Sequence, residues 1–468
     1  MGLLERLSEL LDATRPAPPE VRAALARRWS DLPESARTPG QLLGRRTTGC
    51  EGTHGVFPQC DLGCRPCYHS TDANRVRVDG PHTIAEVDAQ MGFLRRVRGP
   101  GAYAQLIGGE VTLLDPDDHA AALAVMRSHG REPMSFSHGD VDYPYLERLA
   151  LGPDGRPRVD HLAFAVHIDS TMRGRRAVPR PTSEAELHPE RARVAALFAR
   201  LEREHGVRTY LAHNMTVTPD NLDEVADVIR AGRGLGYRMF SFQPAAYVGA
   251  EGRWSDGYRS FGADEVWAQI EAGAGTRLPY RGVHLGDVRC NRSTWGAFVG
   301  DRYVTVIDED DPADLAARDA FYRAFPGSLG FGSTPVRLVR VARSVAALPA
   351  VVPALVGWAR RFVRRAGGVR AIVRHRPRPV TFVMHRFMDA ADVSEAWAML
   401  EQDEAASEPR LVETQERLRA CVYGMAHPEQ GRVVPACVQH SVLDPVENAR
   451  LVRLLPRRPT TAPAGSGG

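Results

Sequence analysis

The chain has 468 residues, 43% of them hydrophobic, and a formal net charge of +3. That length predicts two or three domains around a sizeable core, and the near balance of charge gives no reason to expect nucleic acid as a partner. Seven cysteines are too few for a disulfide scaffold and suit metal chemistry in a reducing compartment. Every basic side chain is arginine and none is lysine, a compositional bias, so arginine at one position does not mark a phosphate site.

Residues 1–45 read as a helical segment. Leu3, Leu4, Leu7, Leu10 and Leu11 share one helical face, and a second helix is expected from Pro19 to Leu32 with proline in its first turn. Both are expected to pack or cap. Met1–Ala13 lacks a basic stretch followed by an apolar one, so no signal peptide is expected. No run reaches the roughly eighteen apolar residues of a spanning helix, and a cytoplasmic location is expected.

Strand-like and helix-like segments then alternate from about 55 to 245. The expected strands are Gly55–Gln59, Ala102–Ile107, Pro133–Ser137, His161–Ile168, Val207–Val217 and Arg238–Gln243. Thr83 with Glu86 reads as a capping box opening a helix. Arg191–His205 is amphipathic and ends at Gly206, a C-cap residue. Thr218-Pro219 opens a third helix. Six strands alternating with helices predict a parallel sheet covered by helices, either open or closed into a barrel.

Between the first two strands stands Cys60-Asp61-Leu62-Gly63-Cys64-Arg65-Pro66-Cys67-Tyr68, a Cys-x3-Cys-x2-Cys spacing. Iron–sulfur clusters are held by cysteine thiolates, normally four of them. Three with no nearby fourth leave one iron open to a ligand from outside the protein. A structural zinc site would close with a fourth side chain, for which His54 and His69 are the candidates. A disulfide leaves one of the three unpaired.

Four cysteines remain: Cys50, Cys290, Cys421 and Cys437. Four thiolates complete a second cluster. Cys290, Cys421 and Cys437 are its expected ligands, and His427-Pro428 and Pro435-Ala436-Cys437 have the look of a metal-binding loop. The other reading is that these are small buried apolar residues, as free cysteines often are. Ser344–Ala359 is apolar, broken by Pro349 and Pro353, and flanked by Arg337, Arg340, Arg343, Arg360, Arg361, Arg364 and Arg365. It reads as a buried helical hairpin with a solvated basic edge, as a helix lying in a membrane interface, or as a lid over an apolar substrate. Val380–Met384 is strand-like, and the tail from 456 has the composition of a disordered segment. The sequence contains no internal repeat, P-loop or dinucleotide fingerprint.

The Cys60, Cys64, Cys67 spacing resembles the signature of radical S-adenosylmethionine enzymes. The resemblance implies that these three hold a [4Fe–4S] cluster whose open iron binds S-adenosylmethionine, and that one-electron reduction generates a 5′-deoxyadenosyl radical. An electron donor such as ferredoxin or flavodoxin is implied with it. The residue before the last cysteine is usually aromatic in that family. Here it is Pro66, and Tyr68 is expected to take its place beside the adenine. The implied fold is a partial six-stranded (β/α)6 TIM-like barrel, with N-terminal helices and an α+β C-terminal extension. Active groups of such barrels cluster at the C-terminal strand ends. There, Gly108-Gly109-Glu110 resembles the motif that holds the amino group of S-adenosylmethionine. Ser137, His138, His167, Asp169 and Asn214 are the further expected contacts, with Gln243 beside the adenine.

The expected organisation is 1–45 helical, 46–250 core barrel, 251–332 with Cys290, 333–378 the arginine-flanked insert, 379–455 an auxiliary-cluster domain and 456–468 the tail. The Cys290 setting, the apolar insert, Phe387-Met388-Asp389 and the late His-Pro and Pro-x-Cys elements are together similar to the tetraether lipid synthase group. That similarity implies carbon–carbon bond formation, or another change, on a lipid or long apolar substrate, and the arginine-flanked stretch adds an expectation of peripheral membrane contact. Two other readings stay open: a radical enzyme modifying peptides, and a non-catalytic zinc- or iron–sulfur-binding regulator.

Overall fold

The computed structural model describes residues 17–67, 74–248, 261–327 and 334–457. The expected helix over Leu3–Leu11, the aromatic Tyr68, His69 and nearly all of the tail lie outside them. The strands are β1 (Cys50–Gly52), β2 (Gly63–Cys64), β3 (Ala102–Leu106), β4 (Arg131–Ser137), β5 (His161–His167), β6 (Met172–Arg173), β7 (Arg208–Val217) and β8 (Met239–Pro244). They continue with β9 (Asn291–Val299), β10 (Arg302–Thr305), β11 (Arg378–His385), β12 (Tyr423–His427) and β13 (Arg432–Pro435).

Six of these, β1, β3, β4, β5, β7 and β8, pair in parallel in that order. Each is followed in the chain by a helix: Gly80–Arg98, Pro116–Ser128, Tyr143–Ala150, His188–His205, Val225–Gly232 and Ala263–Ala274. The fold is mixed α/β, and its sheet curls into a half barrel with two open edges. Strand β5, His-Leu-Ala-Phe-Ala-Val-His, is buried on both faces, as a parallel strand covered by helices must be. Phe164 from β5 meets Phe198 from helix His188–His205 with ring centroids 5.2 Å apart. That helix ends as its sequence predicts, at Gly206 with φ of 69°.

Three local expectations are corrected. The first strand is Cys50–Gly52, and Gly55–Gln59 is an irregular lead into the cysteines. Helix Gly80–Arg98 is capped by Asp79, whose side chain accepts the His82 N–H, so Thr83 and Glu86 form no capping box. Thr218-Pro219 opens a turn closed by Asn221, and the helix begins only at Val225.

Both edges of the sheet are extended by later parts of the chain. Strand β11 adds in parallel to β8, with β9 and β10 antiparallel beyond it. Strand β12 adds in parallel to β1, with β13 antiparallel outside it. The end of helix Pro19–Asp31 and the chain after it pack against this C-terminal part: Trp29 lies against a core in which Leu32, Ala36 and Leu43 join Val393, Leu411 and Leu418. Arg28 donates to the carbonyls of Arg419 and Cys421 at 2.9 and 2.6 Å. Inside the sheet, Arg131 forms a bidentate ion pair with Glu51 at 2.9 and 3.2 Å, both side chains fully buried.

The insert forms helices Thr334–Ala347, Val351–Arg365 and Val369–His375. The first two are bent by 113° at the break between them, and among the described residues no single helix is long and apolar enough to cross a membrane. The hairpin is not buried: Leu338, Val339, Val352 and Val356 are all exposed.

Candidate active site

The cysteine segment lies across the C-terminal ends of the parallel strands, tied there by its backbone. Gly109 N–H donates to Phe57 O at 2.7 Å and Glu110 N–H to Gln59 O at 2.8 Å. Cys64 pairs with Met172 in the β2–β6 ribbon, and Arg65 N–H donates to Thr171 O at 3.2 Å. Cys60 N–H donates to Asn74 Oδ1 at 3.1 Å. The ends of β3 and β5 thus hold the segment from two sides. The room made by Gly108 and Gly109 is taken by the segment itself. A Cβ on Gly109 would stand 1.9 Å from Gln59 O, and one on Gly108 2.8 Å from Phe57 O.

The three cysteines are half-buried and their thiols lie close enough to act on one another. Burial, with Glu110 adding to it, pushes the Cys60 thiol up to about 12. Burial and the neighbouring Cys67 and Cys60 thiols hold Cys64 well above its ordinary value. Thiols held this way ionise when a cation takes the place of their protons, and the thiolate is the form that binds metal. Cys60 Sγ also lies with Asp61 and His138 in a group whose ligand atoms are all within 4.8 Å of one another.

Around the thiols stand the strand-end residues that the sequence singled out. Glu110 is buried; its Oε1 accepts from the Thr112 N–H and hydroxyl at 2.9 and 2.7 Å, and its Oε2 from the His138 N–H at 2.7 Å. His138 Nδ1 accepts the Asp140 N–H at 3.0 Å, which leaves Nε2 as the donor to Asp61 Oδ1 at 2.8 Å. The hydrogen bond from His138 holds the Asp61 carboxyl below its usual range. Ser137 Oγ accepts the Gly139 N–H at 2.9 Å, closing the turn after β4.

His167, Asn214 and Ser241 sit side by side in register on β5, β7 and β8. Asp169 accepts from His167 Nε2 at 2.5 Å, from Thr216 N–H at 2.7 Å and from Thr171 N–H at 2.8 Å. Burial opposes its ionisation, but His167 and these bonds hold its carboxyl below the usual carboxylate range. Gln243 Nε2 donates to Ser241 Oγ at 2.7 Å. Asn214 is 4% exposed, and its Oδ1 is buried without a hydrogen-bond partner among the described residues.

Sequence reasoning missed Arg175. Its side chain is buried beside Cys64, and Nη2 donates to His138 O at 2.7 Å and His167 O at 3.1 Å. Its Nε and Nη1 are buried with no partner among the described residues. In a chain whose only basic residue besides histidine is arginine, nothing in Met172-Arg173-Gly174-Arg175-Arg176 marks the one that turns inward. Two guanidinium N–H groups beside Cys64 and one amide oxygen on β7, all buried and unpartnered among the described residues, fit a ligand carrying both a carboxylate and an ammonium group.

The four other cysteines group with one another. Arg417 Nε donates to Cys290 Sγ at 3.0 Å, and Cys421 Sγ donates to Tyr423 O at 3.2 Å. Cys437 is 4% exposed, and burial with the Cys421 and Cys290 thiols drives its own thiol strongly upward. Cys50 opposes Tyr423 in the β1–β12 pairing, and burial, aided by Glu51 and the Cys421 thiol, pushes it up to about 11. Arg417 Nη2 is buried with no partner among the described residues. Its Nη1 pairs with Glu413 Oε1 at 3.2 Å, and converging thiols beside a guanidinium with one free nitrogen fit an anionic thiolate-bound group. His385, at the end of β11, is a neutral neighbour: burial and Arg417 lower it to about 4.

His54, a candidate zinc ligand from the sequence, is engaged elsewhere. Its Nδ1 meets Glu447 Oε2 at 3.0 Å, its Nε2 meets Ala426 O at 2.6 Å, and its ring stacks on His427 at 4.1 Å. His427 Nε2 in turn meets Gln439 Oε1 at 2.7 Å, so the His427-Pro428 element ties the C-terminal helix to the sheet.

No family model matches the chain, and no curated protein matches it in sequence. Among solved structures it is similar to anSMEcpe with bound AdoMet, at 15% identity and a TM-score of 0.29 over 41% of this chain and 50% of that one. It is similar to SuiB of Streptococcus suis at 11% identity and a TM-score of 0.30, over 45% of this chain and 42% of that one. SuiB bound to the precursor peptide SuiA gives 12% identity and a TM-score of 0.28, over 42% and 39%. The chain thus spans half or less of the length of the structures it matches, and a likeness of this size carries no argument about its chemistry.

Proposed function

We propose that the chain is a radical S-adenosylmethionine enzyme acting on an unactivated C–H of a lipid or other long apolar substrate. One observation carries the reading. Cys60, Cys64 and Cys67 gather as half-buried neighbours at the C-terminal ends of six parallel strands, while the other four cysteines gather elsewhere. Three ligands leave a four-iron cluster one open iron. The six strands and their helices are read as the partial (β/α)6 barrel of that family.

A cluster on these thiolates, with S-adenosylmethionine bound, supplies a 5′-deoxyadenosyl radical on one-electron reduction by a ferredoxin- or flavodoxin-like donor. The protein's own part is to bind and orient. The free N–H groups of Arg175 receive the carboxylate of the methionine moiety, while Asn214 Oδ1 and the remaining acceptor capacity of Glu110 receive its ammonium. His138 and Ser137 fix the turn that carries Glu110's partner N–H, and His167 with Asp169 holds the end of β5 against β7. Gln243 is read as the neighbour of the adenine. Cys290, Cys421 and Cys437 hold an auxiliary [4Fe–4S] cluster beside Arg417.

The test is iron and sulfide content with EPR on anaerobically reconstituted protein, followed by assay of 5′-deoxyadenosine under strong reduction. About eight irons in the wild type and about four in the Cys60/Cys64/Cys67→Ala variant are expected. Four falling to none removes the auxiliary cluster. Zinc retained through anaerobic purification, with no cleavage of S-adenosylmethionine, overturns the reading.

A further inference from the structure

Residues 334–378 contain eleven arginines and no aspartate or glutamate, in a chain whose net charge is only +3. Two of the eleven pair with one buried carboxylate: Arg361 Nε meets Asp314 Oδ1 at 2.7 Å and Arg365 Nη2 meets Asp314 Oδ2 at 2.8 Å. Arg360, Arg364, Arg370 and Arg374 have no ion pair among the described residues, and all four are exposed.

Helix Val351–Arg365 has two unlike faces. One holds it to the body of the protein. Val351 is fully buried, Trp358 Nε1 donates to Val306 O at 2.7 Å, and Leu355 and Trp358 roof an apolar cavity of about 300 Å³ that Phe321 and Val283 also line. The other face carries Val352, Val356, Arg360 and Arg364, four residues apart and exposed throughout. The next helix repeats the arrangement. Val369 and Val373 are 66% and 71% exposed, and Arg370 and Arg374 follow each by one residue. On the helix before the bend, Leu338 is 65% exposed beside Arg337.

A face meant only for water gains nothing from a row of aliphatic side chains, and a face meant for nucleic-acid phosphates needs the arginines alone. Guanidinium groups among exposed aliphatics match a surface with phosphates outside and hydrocarbon beneath. The first two helices are bent by 113° at the break between them, a geometry that suits a path along such a layer.

We propose that helices Thr334–Ala347, Val351–Arg365 and Val369–His375 dock the protein on an anionic phospholipid bilayer, arginines at the headgroups and Leu338, Val352 and Val356 in the acyl boundary. The docked helix then stands between the bilayer and the apolar cavity under Leu355 and Trp358. This docking does not rest on the chemistry of the cysteines, and it is tested without it.

The test is sedimentation of the full chain with vesicles of phosphatidylcholine alone or mixed with phosphatidylglycerol, at low and high salt. Binding to the mixed vesicles is expected. Neutral vesicles, or the Arg360→Gln/Arg364→Gln/Arg370→Gln/Arg374→Gln variant, weaken it by about a hundredfold or more. High salt weakens wild-type binding as well. The Leu338→Ser/Val352→Ser/Val356→Ser variant weakens it at both salt concentrations. All these side chains are exposed, so an unchanged melting temperature checks that the variants fold. Absence of sedimentation, binding indifferent to both variants, or tight binding of an oligonucleotide with no vesicle binding would overturn the proposal.

Discussion

Gly109 lies so close to Gln59 that a Cβ on it would stand 1.9 Å from the Gln59 carbonyl oxygen. The contact joins the end of β3 to the residue before Cys60. Gly109→Ala therefore forces two backbones apart, an overpacking that costs about 1–3 kcal/mol. The strain falls on the cysteine segment, not on the sheet. The expected outcome is a protein that melts cooperatively but no longer takes up iron at Cys60, Cys64 and Cys67. Iron content of the reconstituted variant beside its thermal melt is the check; full iron uptake in a stable Gly109→Ala protein would remove this role.

Much of this arrangement was legible because strand and helix signals are local. Five of the six core strands lie within two residues of where Ala102–Ile107, Pro133–Ser137, His161–Ile168, Val207–Val217 and Arg238–Gln243 place them. The first strand was not legible. Cys50-Glu51-Gly52 has no apolar alternation, and what makes Glu51 tolerable in a core is Arg131, eighty residues away. The same holds for Arg175 and Arg417, whose meaning comes from what surrounds them after folding. Gly108-Gly109-Glu110 was readable as a special strand end, but not the partner it makes room for.

Glu51→Gln tests that buried pair. Arg131 Nε and Nη2 reach both Glu51 oxygens, and Arg98 lies 3.6 Å from one of them. Removing the carboxylate charge leaves a guanidinium in the core without its counter-charge, and a loss of about 3–5 kcal/mol is expected. Urea unfolding measures it. The Glu51→Gln/Arg131→Met double variant should recover part of the loss, and a loss below about 1 kcal/mol in the single variant would show the pair to be dispensable.

Arg175→Gln separates positioning from folding. The substitution removes the donor to the carbonyls of His138 and His167 and the two unpartnered N–H groups beside the thiols. A charge-assisted hydrogen bond contributes about 1.5–3 kcal/mol. Equilibrium binding of S-adenosylmethionine to the reconstituted protein should weaken by about ten- to a hundredfold, with cluster iron retained. Unchanged affinity would place the cofactor's carboxylate elsewhere.

His119 gives the fold a dependence on acidity that is separate from the cysteines. The ring is fully buried between Tyr145, whose hydroxyl lies 2.9 Å from Nδ1, and Ser135, whose Oγ lies 2.8 Å from Nε2. Burial lowers its pKa to about 3. The folded state then keeps the imidazole neutral down to that value, while the unfolded chain takes up a proton below about 6.5. Unfolding is therefore favoured progressively as pH falls from about 6.5 towards 3, and at pH 5 this one group accounts for about 2 kcal/mol of lost stability. Other buried histidines contribute in both directions, so the comparison must be with His119→Gln. That variant starts less stable at pH 7 through its lost contacts. Its further loss between pH 7 and pH 5, read from urea unfolding at each pH, should be smaller than the wild-type loss by about 2 kcal/mol. Parallel pH profiles would mean that His119 takes up its proton inside the folded protein, with Ser135 or Tyr145 turning to accept from it.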